Sequence, residues 1–136
     1  MIRAVFDTNI YISAFITPGG KAEEAYLLTV EKKIELYTSV PILTETAGKL
    51  KEKFLWSDER ITAAIKHIGT VSTVVKPNIR IKVLHDEPDN RILECTEHSK
   101  ADFLVTGNRH LLDLKKYGQT KIIKLAEFLR KIGQFL

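Results

Sequence analysis

Four short segments of this sequence carry acidic, hydroxyl or amide side chains whose types could support chemistry. They are Asp7-Thr8-Asn9, the isolated Glu45, the run Asp86-Glu87-Pro88-Asp89, and Thr106-Gly107-Asn108. Oxygen ligands of this kind suit Mg²⁺ and Mn²⁺. Carboxylates that lie close together also repel one another unless a cation sits among them. Binding of a divalent cation is therefore one chemistry that Asp7 and the acidic run 86–89 could support.

Each of these segments also has a structural explanation. Asp7 could ligate a metal, with Asn9 holding it in place, or it could cap the helix that follows. Glu45 could pair with Lys49 one helical turn later. Asp89 could stabilise the amino end of a helix, where the helix dipole is positive. These residues alone leave both explanations open for Asp7 and favour the structural one for Glu45.

Other catalytic chemistries find little support. The sequence lacks nucleophile-elbow, phosphate-loop and dinucleotide-binding motifs. The four histidines lack metal-ligand spacing, which favours surface or packing roles for His67, His85, His98 and His110. The single cysteine, Cys95, excludes an intrachain disulfide and a multi-cysteine zinc site. We expect it to be a small buried apolar residue.

The hydrophobic pattern predicts an alternation of strands and helices around these segments. Strands are expected at 2–6, 36–38, 71–75, 103–106 and 121–123, with an extended segment at 79–83. Helices are expected at 21–31, from Ser39 onward, from Ser57 to a stop at Gly69, and at 90–100, 111–116 and 125–132. The inner face of the Ser39 helix is predicted to be Leu43, Ala47, Leu50 and Phe54.

This alternation predicts an α/β fold with a central, mostly parallel sheet sandwiched by helices. In such sheets the chemistry lies beyond the carboxyl ends of the strands. Asp7 and Asn108 follow strands, and Asp89 lies where the chain enters a helix. Asp102 instead precedes its strand, on the order of 13 Å from Thr106 at 3.3 Å per residue, so we interpret it as structural.

Length and composition favour one globular domain over residues 1–136. The chain has 136 residues with 44% hydrophobic and 28% charged residues. It has no apolar run of the roughly 20 residues that a membrane span needs and no signal-peptide pattern. Together with the lone cysteine, these features predict a cytoplasmic protein without a membrane anchor.

Positive charge is concentrated in the last quarter of the sequence. Residues 100–136 hold eight basic and three acidic residues, whereas residues 1–99 are nearly balanced. This bias makes Arg109, Lys115 and Lys116 candidates for contacts with phosphate groups. Solvated helix faces would explain the same bias without any ligand.

Taken in order, the four segments resemble the PIN-domain family, and in particular its VapC-like toxins. The resemblance rests on Val5-Phe6-Asp7-Thr8-Asn9-Ile10, on Ser39 to Glu45, on Asp86 to Glu94 and on Ala101 to Leu112. It implies a metal-dependent endoribonuclease, the toxin of a type II toxin–antitoxin system, with an antitoxin partner and a homodimeric state. It also implies that Asp7, Glu45 and Asp89 are the catalytic, Mg²⁺- or Mn²⁺-binding residues, supported by Asn9, Thr106 and Asn108.

One position departs from the pattern of the family. Where these proteins commonly have Val-Thr-Gly-Asp, this chain has Asn108, which supplies no negative charge. We therefore expect a one-metal nuclease with weaker metal affinity than a relative with four carboxylates. The alternative is a catalytically weak PIN scaffold that binds RNA or a partner protein without cleaving. A more remote alternative is a phosphotransfer or phosphatase domain.

Overall fold

A computed structural model of residues 1–136 contains a six-stranded sheet with the strand order β3-β2-β1-β4-β6-β5. The strands are β1 (Arg3–Phe6), β2 (Glu35–Ser39), β3 (Ser72–Val75), β4 (Phe103–Val105), β5 (Lys116–Tyr117) and β6 (Thr120–Ile123). All neighbouring strands pair in parallel except the short edge strand β5, which is antiparallel to β6. The predicted α/β fold is therefore confirmed.

Seven helices connect and cover the strands. They are α1 (Thr8–Ile16), α2 (Lys21–Val30), α3 (Val40–Glu52), α4 (Asp58–Val71), α5 (Glu87–Ser99), α6 (Arg109–Leu114) and α7 (Leu125–Gly133). None of them is long and apolar enough to cross a lipid bilayer.

The core forms around the two central strands, because helices pack on both of their faces. Phe6 of β1 lies against Tyr11 of α1 and Phe128 of α7, with ring centroids 5.8 and 5.9 Å apart. All three residues of β4 are buried. Strands that are buried on both faces read as continuous apolar runs, which is why these two were predictable from the sequence.

The predicted inner face of α3 is confirmed at Leu50 but is wrong for the first two turns of the helix and for Phe54. Its buried residues are Ile42, Thr46 and Leu50, whereas Leu43 and Ala47 are only partly buried. The helix ends at Glu52, before Phe54, which is 40% exposed. Thr46 fits the interior because its hydroxyl donates to the backbone carbonyl of Ile42 at 2.8 Å. A helix face built on a threonine is easily missed by counting apolar residues.

The predicted end of the helix that begins after Ser57 is also wrong. Gly69 does not end its helix, which continues to Val71 and stops where the Ser72 hydroxyl donates to the carbonyl of Ile68 at 2.6 Å. The segment 79–83, predicted to be extended, pairs with no strand of the sheet. Of its three alternating apolar residues, Ile81 packs into the core, whereas Ile79 and Val83 are exposed.

Candidate active site

Asp7 lies at the carboxyl end of β1, in the centre of the sheet. Its side chain is only 3% exposed. One carboxylate oxygen accepts a hydrogen bond from the backbone N–H of Asn9 at 3.3 Å, so Asp7 is the N-cap of α1. The other oxygen accepts from the Thr106 hydroxyl at 2.5 Å. Asp7 can therefore cap α1 and still lie at the edge of the sheet, because its two carboxylate oxygens accept hydrogen bonds from different groups.

Thr106 and Asn108 continue this hydrogen-bonded chain beyond the end of β4. The Thr106 Oγ1 atom accepts from the backbone N–H of Asn108 at 2.9 Å. The oxygen and the nitrogen of the Asn108 side-chain amide bind different partners. Its Oδ1 atom caps α6 by accepting from the N–H of His110 at 2.8 Å, and its Nδ2 atom donates to both carboxylate oxygens of Asp89 at 3.2 and 3.3 Å. One network thus links Asp7 with Asp89.

Asp89 is a buried carboxylate in the first turn of α5, and it is only 5% exposed. Burial is the largest cause that raises its pKa, to about 6, with further contributions from the negative charges of Asp86, Asp7 and Glu45. The hydrogen bond from Asn108 acts in the opposite direction. The charge on Asp89 is therefore only partly compensated by the protein itself.

Glu45 reaches the same edge of the sheet from α3. Its side chain is 24% exposed, and its carboxylate is 3.9 Å from the Lys49 ammonium group. The same ammonium group donates to the Asn9 Oδ1 atom at 3.3 Å. Asn9 therefore holds Asp7 through its backbone N–H, and its side chain faces Lys49 instead.

The donor chemistry of this edge fits a hydrated Mg²⁺ or Mn²⁺ ion. The groups that meet here are carboxylates, and Mg²⁺ commonly needs only one or two of them, with water filling its other positions. The three predicted acidic ligands lie within electrostatic range of one another but are not gathered into a tight cluster. No three His, Cys, Asp or Glu side chains of the chain are grouped closely enough to hold a metal ion. A cation would have to draw the carboxylates together.

Sequence reasoning missed the side chains that fix the segment 76–86 against α5. The Asn90 amide accepts from the N–H of Leu84 at 2.9 Å and donates to its carbonyl at 2.8 Å. The Glu94 carboxylate accepts from the N–H of Ile81 at 2.8 Å, while Arg91 donates to the Ile81 carbonyl at 3.0 Å. These contacts replace the pairing that a strand would have provided. In the sequence Asn90 and Arg91 continue the polar run 86–89, so nothing marks them as residues that hold a neighbouring segment.

A second missed feature is the pocket over Asp89. It measures about 190 Å³ and is lined by Leu84, His85, Asp86, Asp89 and His110. Of these, Asp86 contributes negative charge beside Asp89. Two histidines that are far apart in the sequence are brought to one pocket here, which spacing alone could not have indicated.

The other polar residues singled out from the sequence lie in different places. Arg109 is exposed at the start of α6, next to Asn108, whereas Lys116 lies in the edge strand β5 and pairs with Lys121 near the amino end of β6. Lys115 precedes that strand with a positive φ of 61°.

Asp102 accepts from the backbone N–H of Arg3 at 2.8 Å, at the amino edge of the sheet, as a structural residue should. Cys95 is fully buried, as predicted.

Comparison with known proteins places this arrangement in a family. The family model of the PIN domain matches residues 3–110. The uncharacterized protein MJ1680 of Methanocaldococcus jannaschii is 33% identical over 147 aligned positions, which cover 99% of this chain and 94% of that protein. A chain in the crystal structure of VapBC2 from Rickettsia felis, bound to a DNA fragment from their promoter, shares the fold with a TM-score of 0.64. It is 15% identical and is matched over 90% of this chain and 98% of that one. The chain therefore belongs to the PIN-domain family.

Proposed function

We propose that this protein is a metal-dependent endoribonuclease and the toxin of a toxin–antitoxin pair. The observation that carries the proposal is the hydrogen-bonded network through Thr106 and Asn108 that links Asp7 with Asp89 at the carboxyl edge of the sheet. Membership of the PIN-domain family supports a nuclease. The structural match to a chain of VapBC2 agrees with a VapC-like fold.

In this proposal Asp7 and Asp89 hold Mg²⁺ or Mn²⁺, and Glu45 either ligates the ion or positions the attacking water. When bound, the ion would supply Lewis acidity and neutralise charge that builds up on the scissile phosphate. Thr106 keeps one oxygen of Asp7 fixed by its hydrogen bond, and Asn108 keeps the carboxylate of Asp89 facing the same edge. Holding these groups in place before substrate arrives lowers the cost of reorganisation during the reaction.

The proposed substrate is RNA, and the proposed protein partners are an antitoxin and a second copy of this chain. Arg109 is exposed beside Asn108 and is suited to contact a phosphate of an RNA strand at the site. Lys115 and Lys116 lie at the outermost strand β5 and would contact more distant phosphates.

A second candidate is a PIN scaffold that binds RNA or a protein without cleaving it. The observation in its favour is that the Asn108 amide already donates to both oxygens of Asp89, so that a neutral donor stands where a carboxylate is common. In this case the affinity for RNA would not depend on a metal ion.

Incubation with a mixed pool of structured and single-stranded RNAs separates the two candidates. The wild type and Asp7→Asn would each be assayed with Mg²⁺, with Mn²⁺ and with EDTA, and RNA binding would be measured in parallel. The nuclease proposal expects metal-dependent cutting by the wild type alone. RNA binding by both proteins with no cutting under any condition would favour the scaffold.

A further inference from the structure

A second and larger pocket opens beside Glu45. It measures about 460 Å³, a size typical of small-molecule sites. The amino-terminal turns of α1, α3 and α5 form it, and Thr8 brings it within one residue of Asp7. Its apolar walls are Val40, Pro41, Ile42, Pro88 and Ile92. The pocket thus joins an apolar cleft to the proposed active site.

The polar group in this pocket that points most clearly to a ligand is the hydroxyl of Thr8. Thr8 is completely buried, and its Oγ1 atom has no hydrogen-bond partner in the protein. A buried hydroxyl without a partner is costly, and such groups are rare in native structures. An occupant that offers a hydrogen-bonding edge next to Thr8 would remove this cost.

Arg91 provides a flat wall that is already held in place. Its guanidinium group is 2.8 Å from Glu87 and 2.7 Å from Glu94, and it also donates to the carbonyl of Ile81. Its side chain is only 12% exposed. RNA-binding proteins stack splayed bases on guanidinium planes as well as on aromatic rings. A guanidinium that is fixed beforehand loses little side-chain entropy when a base stacks on it.

The charges of the lining argue against a phosphate as the occupant. Glu45 and Glu87 contribute two carboxylates, whereas Arg91 is the pocket's one cation and is already paired. An anion placed here would be repelled by the carboxylates. A neutral, planar group with apolar faces and polar edges matches the apolar walls, the Thr8 hydroxyl and the Arg91 plane together.

We propose that this pocket binds a nucleobase of the RNA strand, next to the phosphodiester that is cleaved. The inference rests on the proposed nuclease function and adds to it a base subsite that selects where the strand is cut. Thr8 hydrogen-bonds the edge of the base, and Val40 and Pro41 cover one of its faces.

Nuclear magnetic resonance of the ¹⁵N-labelled full chain tests the subsite without any need for catalysis. In EDTA, the four ribonucleosides and ribose 5-phosphate would be titrated separately. We expect at least one nucleoside to shift the amide signals of Thr8 and of residues 40–45, with ribose 5-phosphate leaving them unmoved. Equal shifts by ribose 5-phosphate, or no shift by any nucleoside, would overturn the proposal.

Two substitutions with a matched control locate the binding. Val40→Trp fills the mouth of the pocket and should abolish the nucleoside shifts, whereas Val83→Trp, at an exposed valine outside it, should leave them intact. Thr8→Val should weaken the nucleoside Kd about fivefold, the effect of one neutral hydrogen bond, without loss of folding. Equal binding by wild type and Val40→Trp would contradict the proposal.

Failure of the subsite and failure of the nuclease proposal give different results. If nucleosides bind and no RNA is ever cut, the base subsite stands and the nuclease proposal is wrong. If RNA is cut with the same base preference by wild type and Val40→Trp, the nuclease proposal stands and the subsite is wrong.

Discussion

The side-chain amide of Asn108 donates to both carboxylate oxygens of Asp89, at 3.2 and 3.3 Å, while its carbonyl oxygen caps α6. A single neutral residue thereby stabilises a buried carboxylate that three other acidic groups repel. An aspartate at position 108 could keep the capping role but not the donor role. The choice of amide or carboxylate at this position therefore sets how strongly the site needs a cation.

The substitution Asn108→Asp tests this relationship. We expect it to lower the free energy of unfolding without metal by about 1–3 kcal/mol, because a donor to Asp89 is replaced by a like charge. We also expect it to raise the affinity for Mn²⁺ and to increase the stabilisation that Mg²⁺ gives in thermal unfolding. Unchanged or weaker Mn²⁺ binding in isothermal titration calorimetry would show that Asn108 does not limit metal affinity.

The pH dependence of stability should carry the signature of Asp89. Its pKa is 3.8 when unperturbed and about 6 in the folded protein, so the folded state keeps a proton that the unfolded chain has lost between these values. The stability contributed by this group is present below the lower value and is lost as the pH rises through about 6.

Asp89→Asn should therefore stabilise the protein at neutral pH. The expected gain is up to roughly 2–3 kcal/mol, or several degrees in Tm, and it should largely disappear near the lower pKa. Differential scanning calorimetry of both proteins over this pH range would measure the gain. A Tm difference that does not change with pH would contradict the assignment to Asp89.

Removal of the Thr106 hydroxyl should weaken both the fold and the site. Thr106→Val loses the 2.5 Å bond to Asp7 and leaves the N–H of Asn108 without its acceptor. We expect a loss of roughly 2–3 kcal/mol in urea unfolding, since hydrogen bonds to charged groups are worth about twice a neutral one. Thr106→Ser retains the hydroxyl and should recover most of the loss. Equal stability of the valine and serine variants would rule out the hydroxyl as the cause.

The Arg91–Glu94 pair should be much more important for stability than the pairs on the surface. Glu94 is 7% exposed, and its carboxylate binds both Arg91 and the N–H of Ile81. Glu94→Gln should cost about 3 kcal/mol and speed hydrogen exchange at Ile81, because the Arg91 guanidinium loses the buried one of its two carboxylate partners and keeps only the exposed Glu87. Glu127→Gln, which breaks an exposed pair with Lys131 at 3.9 Å, is the control and should cost less than about 1 kcal/mol. Similar losses in the two variants would contradict this ranking.

RNA binding should depend more on Arg109 than on Lys116. Arg109 is beside Asn108 at the active edge, whereas Lys116 is in the outermost strand. Arg109→Ala should weaken binding to RNA and reduce the slope of log K against log salt by about 1, as expected for one lost phosphate contact. Fluorescence anisotropy at several salt concentrations would measure both effects. A larger effect of Lys116→Ala would place the RNA path over the outermost strand β5.

The sequence predicted the features that depend on burial and local capping. β1 and β4 were found because strands buried on both faces are continuous apolar runs, and the helix beginning after Ser57 was found because Ser57 and the acidic residues after it form a recognisable cap. The face of α3 was missed because a hydrogen-bonded threonine stands in for an apolar residue. The edge strand β5, with two residues, is too short to leave a pattern.

The candidate site was predictable only as far as parallel topology brings strand ends together. That rule placed Asp7 and Asn108 at one edge, and the structure shows both there. The contact of Asn108 with Asp89, and the contacts of Asn90 with Leu84, depend on side-chain geometry between segments that pack in three dimensions. No spacing in the sequence encodes these contacts.

The most direct test of the proposed nuclease compares RNA cleavage by Asp89→Asn, Asp102→Asn and the wild type with Mg²⁺ or Mn²⁺. Both variants neutralise one carboxylate, but Asp89 lies at the active edge and Asp102 at the opposite edge. We predict that Asp89→Asn loses more than about 100-fold in rate, beyond the roughly 10–100-fold typical of residues that only support a metal ligand. Because this variant should be more stable than the wild type, unfolding could not explain the loss. Wild-type cleavage rates in Asp89→Asn, or equal losses in both variants, would contradict the account.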